Sequence, residues 1–183
     1  KGFKMKNSLK FLLSLILFFF ISHNNILGKD KPIIFMVLDS GIVKIQTFPE
    51  KAPNTVKRIL ELSNKGFYDG LTFHRVISGF MAQGGDPNGN GTGGSGQSIK
   101  AEFNDLKHER GIVSMARSQD PDSADSQFFI CYDSHDFLDG KYTIWGKVIE
   151  GMNLIDRIPE GRGQNGQVLN NPTKIISMRV KNK

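Results

Sequence analysis

The stretch FHRVISGFMAQGGDPNGNGTGG, from Phe73 to Gly94, sets one arginine in an apolar, strand-like run that gives way to glycine. Three chemistries could reside there: phosphate binding by the glycines, metal binding by nearby donors, or a cation working inside an apolar cleft. From Gly84 to Gly96, seven of thirteen residues are glycine and no apolar side chain occurs, so this segment reads as a loop. A phosphate-binding P-loop needs GxxxxGK[ST] between strand and helix, where lysine and helix N-terminus supply positive charge. Gly94-Ser95-Gly96-Gln97 brings no lysine, and no βαβ unit surrounds the loop to make a dinucleotide site.

Other chemistries fare no better. His74, His108 and His135 are scattered, with no HxxxH pair and no cysteine cluster, so no metal site is expected. Ser118, Asp120, Asp122, Ser123 and Asp125 suggest calcium, but they lack the glycine and terminal glutamate of an EF-hand loop and read as a polar turn. No GxSxG elbow offers a nucleophilic serine. Cys131, the single cysteine, cannot form an internal disulfide and sits in FFIC as a small apolar residue. That leaves Arg75. On a strand, Phe73, Arg75 and Ile77 would share one face, and Met81 and Gln83 one face of the next strand. Arg75 then either caps an exposed strand or stands in an apolar cleft with few placed polar groups, the usual build of a small binding site.

The surrounding elements are short strands with two helices. IIFMVLD and GIVKIQTF flank Ser40-Gly41 as a hairpin, and PEKAPNTVKRILELSNKG forms an amphipathic helix that opens at Pro53 and stops at Gly66. LTFHRVI, FMAQ, GIVSMA, SQFFICY, YTIWGKVI and TKIISMRV read as strands, with a second short helix from Gly151 to Ile158. Many short strands with so few helices argue for an antiparallel barrel or sandwich. At 183 residues the chain holds one such domain with a proper core.

The net charge of +6 is misleading, because residues 1–29 carry five lysines and no acid and leave 19 basic against 18 acidic residues elsewhere. A basic patch for nucleic acid is therefore not expected on the folded domain. KNSLK followed by the apolar run FLLSLILFFFI, Phe11 to Ile21, has the layout of an export signal. An eleven-residue apolar core falls short of the ~20 residues that span a bilayer. Residues 1–28 are expected to be a removed signal peptide cut near Gly28, with residues 29–183 as the mature domain; an uncleaved anchor is the alternative.

FHRVISGFMAQGGD, then GTGG, SMARS, SQFFI and FLDGKYTIWGKVIEGM, resemble a cyclophilin, the peptidyl-prolyl cis-trans isomerase family, from about Ile33 to Val180. The leader, the Phe73–Gly85 block and FLDGKYTIWG look most like exported bacterial members, which implies a periplasmic location. The resemblance implies a mainly β fold: a closed eight-stranded antiparallel barrel capped by two α-helices. It implies rotation about Xaa-Pro bonds, without cofactor or metal, in proline-containing peptides and in unfolded or exported proteins. A monomer is expected, with no nucleic-acid partner and no membrane contact after signal cleavage.

By the same resemblance Arg75 matches the catalytic arginine, and Phe80, Met81, Phe129 and Leu138 match the proline pocket. Gln83 matches the residue that bonds the substrate backbone and supports the arginine. Arg117 matches a position whose backbone pairs with the peptide, while Ala116 and Gln127 line the adjoining groove and Gly91 begins its GTGG wall. Three positions depart from the best-known eukaryotic members: Phe137 for a tryptophan that donates to cyclosporin, Tyr142 for a histidine at the pocket rim, and Arg117 for an asparagine. Phenylalanine has no N–H to donate, so weak cyclosporin binding is expected. A barrel that binds peptides without turnover is the competing expectation, against which intact Arg75, Phe80, Gln83 and Phe129 speak.

Overall fold

The computed structural model describes residues 31–181, so the expected leader lies outside the described residues. Eight strands form one antiparallel sheet: β1 (Ile33–Leu38), β2 (Gly41–Thr47), β3 (Arg75–Ile77), β4 (Met81–Gly84), β5 (Ile112–Met115), β6 (Phe128–Cys131), β7 (Ile144–Glu150) and β8 (Ile175–Lys181). Their order across the sheet is β3-β4-β6-β5-β7-β2-β1-β8. Helix α1 (Pro53–Asn64) packs Val56, Ile59 and Leu62 into the core, whereas α2 (Met152–Ile155) is a single turn. Gly151, in the left-handed conformation, and Pro159 confine α2 to less than the expected Gly151–Ile158 span.

The sheet curls into a half-barrel and is open, not the closed barrel expected from the sequence. Register shifts in the β1–β8, β2–β7 and β5–β7 ladders bend the strands and add twist. The edge strands β3 and β8 do not pair with each other. Residues 161–174 take the free edge of β3 instead: Val76 N–H donates to Gly166 at 2.7 Å, Gly161 N–H to Val76 at 2.9 Å, and Val168 N–H to His74 at 2.9 Å. Only glycine fits at 166, where φ is +65° and an added Cβ would lie 2.4 Å from Ile77 Cγ1. This cover removes an exposed strand edge that would otherwise invite pairing with another chain.

The helix start is secured at long range. Ala52 offers no side-chain cap, but the Glu102 carboxylate accepts from the Asn54 and Thr55 N–H groups at 3.0 and 2.8 Å. Across β3, β4, β6 and β5, cross-strand partners Val76, Ala82, Ile130 and Val113 face the main core, each no more than 1% exposed. The neighbouring row Arg75, Gln83, Phe129 and Ser114 must then face the other side. That side carries a second apolar cluster of Met81, Ile112, Phe129, Cys131, Leu138 and Ile144.

Candidate active site

The outward row places Arg75, Gln83 and Phe129 abreast on three adjacent strands, with Met81 one row along beside Ile77 and Cys131. Phe73 does not join them. It precedes β3 and is buried in the main core, because the two-residue alternation begins only at Arg75. A cavity of about 210 Å³ opens here, lined by Arg75, Phe80, Met81, Gln83, Ala116, Arg117, Phe129, Phe137, Leu138 and Tyr142. A second cavity of about 230 Å³ adjoins it, sharing Gln83, Ala116 and Arg117 and adding Gly91 and Gln127. All twelve residues singled out from the sequence thus line one continuous groove.

Arg75 is fixed by two oxygen acceptors, and its Nη1 also lies 3.9 Å from Met81 Sδ. Its Nε donates to the Asn165 carbonyl at 2.9 Å and its Nη1 to Gln83 Oε1 at 3.0 Å, while Nη2 has no protein partner among the described residues. Burial pulls the guanidinium below its ordinary value, but from so high a start that it stays protonated at neutral pH. Gln83 Nε2 donates in turn to Gln127 Oε1 at 3.0 Å, and Gln127 Nε2 donates to the Gly91 and Gly93 carbonyls at 3.1 and 2.8 Å. Gly91 has φ of 93°, so its backbone as well as the open groove calls for glycine.

The chain of contacts ends at Asp86, which sequence reasoning had missed. Asp86 is 1% exposed, and its carboxylate accepts from the N–H groups of Asn88, Asn90 and Gly91 at 2.9, 2.9 and 2.5 Å. Burial raises its proton affinity, yet these three donors outweigh it and hold the carboxyl below its ordinary value. The available signal was the Asp-Pro-Asn order, which favours a side chain bonding the backbone two residues on. Thr92 and Gly93 of the expected GTGG wall also line the second cavity, as do Ser118, Ser123 and Asp125, which the sequence did not mark as groove residues. The turn that carries Ser118 to Ser123 is built from side-chain–backbone bonds, and among the described residues no group of three or more His, Cys, Asp or Glu could hold a metal ion.

Aromatic contacts shape the apolar cavity. Phe129 meets Tyr142 edge-on at 5.8 Å and lies parallel to His108 at 6.1 Å, and Phe80 packs on Phe137 at 5.8 Å. Phe137 is 60% exposed and forms the rim. Cys131, fully buried behind the cavity, has its thiol pushed up to about 12 by burial, so it packs rather than reacts.

Behind Phe129, His108 is braced by Asp139, which follows Leu138 in the chain. Asp139 Oδ1 accepts from the His108 backbone N–H at 2.9 Å and contacts its Nδ1 at 3.0 Å, with Lys107 on the other oxygen at 3.0 Å. Burial favours the neutral acid, but His108 and Lys107 together bring the Asp139 carboxyl down to about 2. A carboxyl lowered by folding stabilises the protein above its unfolded value of 3.8, and that contribution is lost as pH falls toward about 2. Urea unfolding midpoints measured across this window should fall less steeply for Asp139→Asn than for the wild type; parallel profiles would assign the acid sensitivity to other carboxylates.

Fold and groove together define a class: an antiparallel half-barrel with an arginine set beside a small cavity walled by aromatic and aliphatic side chains. A model of the cyclophilin type peptidyl-prolyl cis-trans isomerase/CLD family matches residues 33–180. A probable peptidyl-prolyl cis-trans isomerase of Brucella abortus is 43% identical over 159 residues, covering 80% of this chain and 81% of that protein. Peptidyl-prolyl cis-trans isomerase B of Bacillus subtilis is 45% identical over 129 residues, covering 69% and 90%. A crystal structure of a Cryptosporidium parvum cyclophilin type isomerase, obtained in the presence of the dipeptide Ala-Pro, superposes with a TM-score of 0.74 at 34% identity, covering 82% of this chain and 99% of that one. The chain belongs to the cyclophilin-type peptidyl-prolyl cis-trans isomerase family and is an enzyme of that class.

Proposed function

We propose that this isomerase accelerates rotation about Xaa-Pro bonds in exported proteins, acting in the periplasm, after loss of residues 1–28, as a monomer. The observation that carries the catalytic reading is an arginine pinned through Nε and Nη1 whose Nη2 has no partner among the described residues. The Xaa-Pro bond is an amide with a rotation barrier of about 18–20 kcal/mol, and its uncatalysed exchange takes on the order of 10–100 s at 25 °C. No covalent bond breaks, so neither nucleophile nor acid–base pair is required. Twisting removes amide conjugation and returns a lone pair to the prolyl nitrogen. A guanidinium N–H aimed at that nitrogen stabilises the twisted state more than either planar state, which is the condition for acceleration.

Phe80, Met81, Phe129 and Leu138 would receive the proline ring, since they form an apolar wall of the cavity that Arg75 borders. Gln83 serves as the arginine's partner and, with the Arg117 backbone, as a bonding site for an extended peptide. The Ala-Pro dipeptide named with the Cryptosporidium structure supports a proline-containing substrate. The lysine-rich start and apolar run supply the support for export. A protease-coupled or NMR exchange assay on an Ala-Pro peptide tests the activity, and a rate equal to the spontaneous one would overturn it. N-terminal sequencing of the exported protein tests the leader, and finding Met5 or Lys6 would rule out cleavage.

Cyclosporin should inhibit weakly. Phe137 sits at the rim, 60% exposed, and offers no N–H to the drug. Phe137→Trp should lower the inhibition constant by about tenfold, as one regained hydrogen bond of roughly 1.4 kcal/mol would. An inhibition curve showing nanomolar affinity for the wild type would contradict this.

A further inference from the structure

Arg117 stands on the partition between the two cavities, half-buried, and lines both. Its guanidinium lies 4.6 Å from the centre of the Tyr142 ring. Four contacts to carbonyls hold it still: Nε and Nη2 donate to Lys141 O at 3.2 and 2.9 Å, and Nη1 donates to Ser118 O and Gln119 O at 2.9 and 3.1 Å. Carbonyls and an aromatic face orient a cation without cancelling its charge. Among the described residues no carboxylate pairs with Arg117, nor with Arg75 across the apolar cavity.

One carboxylate, Asp125, lines the second cavity, and its oxygens already have donors. Its Oδ1 accepts from the Ser95 hydroxyl, and its Oδ2 from the Gly96 and Gln97 N–H groups at 2.9 and 3.2 Å. Arg58 stands behind it, donating to the same Ser95 hydroxyl at 2.6 Å. The groove therefore presents two immobilised cations against one acid whose oxygens are taken.

An extended peptide turns alternate side chains to the same side. With the proline ring in the first cavity, the residue two before proline would point toward the adjoining second cavity, past Arg117. We infer that Arg117 is a specificity-determining residue and that the enzyme prefers substrates with an acidic side chain two positions before proline. Resting on the isomerase reading above, the inference adds a substrate class to it.

The test compares kcat/KM for three otherwise identical peptides carrying Glu, Gln or Lys two residues before proline. At low salt the wild type should favour Glu over Gln by about fivefold, the upper range for a solvent-accessible ion pair, and Gln over Lys. The Glu advantage should shrink at about 0.5 M salt, where exposed charges are screened. Arg117→Gln should bring the Glu/Gln ratio to about one, and Arg117→Lys should keep part of it, each variant first checked for a wild-type melting curve. If Arg117→Gln fails that check, the Glu/Gln ratio and salt response of Arg117→Lys and the wild type decide. Equal rates on all three peptides, or a preference for Lys, would overturn the inference while leaving isomerase activity established. Acceleration of none of them would instead overturn the activity itself.

Discussion

Arg75→Ala should lower kcat/KM by about 10²–10³, the loss seen when a single preorganised donor to a developing charge is removed. The fold should survive it. Arg75 is half-buried, and both partners it would leave, Asn165 O and Gln83 Oε1, belong to groups that water can reach. Arg75→Lys is the more telling variant. Lysine keeps the charge, but an ammonium cannot reproduce the rigid fork that reaches Asn165 O through Nε and Gln83 through Nη1 while keeping Nη2 free. It should therefore recover little of the lost rate. A variant series in which Arg75→Ala retains wild-type kcat/KM, with unchanged folding, would remove the guanidinium from the reaction.

Phe129→Ala should cost both stability and binding. Its ring is 5% exposed and is wedged between His108 and Tyr142, so truncation leaves a hole that those rings fill only in part. Deleting such a buried ring typically costs about 3–5 kcal/mol, read here from the urea midpoint. In the remaining folded protein KM should rise, and kcat/KM should fall by about 10–100-fold, as in an apolar pocket that loses shape against its ligand. Phe129→Leu, closer in volume, should recover most of the stability but less of the activity. If KM is unmoved in Phe129→Ala, this ring is packing and no part of the substrate pocket.

Local pattern carried much of this architecture. Pro53, the spacing of Val56 and Ile59, and Gly66 define α1 almost to its ends, since a helix is a local structure with local stop signals. The stretch Arg75 to Gln83 was equally legible, because two short strands joined by a tight turn bring their alternate residues together. Phe73 failed for the complementary reason: periodicity assigns a face only while the strand lasts, and β3 begins at Arg75. The open sheet was hidden too. Residues 161–174 cover β3 and the residues just before it through single bridges, Arg75 with Gln167 and Thr72 with Lys174, which leave no repeating pattern in the sequence. Glu102 capping α1 and Asn165 anchoring Arg75 join residues 47 or more apart, a distance at which spacing says nothing.

That last contact bears on when the enzyme becomes competent during its own synthesis. Arg75 and the Asn165 carbonyl that orients it are separated by 90 positions, most of the described domain. Chains emerge N-terminus first, and a nascent polypeptide that has presented β3 to β7 holds the groove walls but not the arginine's anchor. Its guanidinium would be free to swing until residue 165 is extruded and the covering segment docks on β3. The competent arginine is thus a product of the folded domain as a whole, dependent on residue 165 as much as on residue 75.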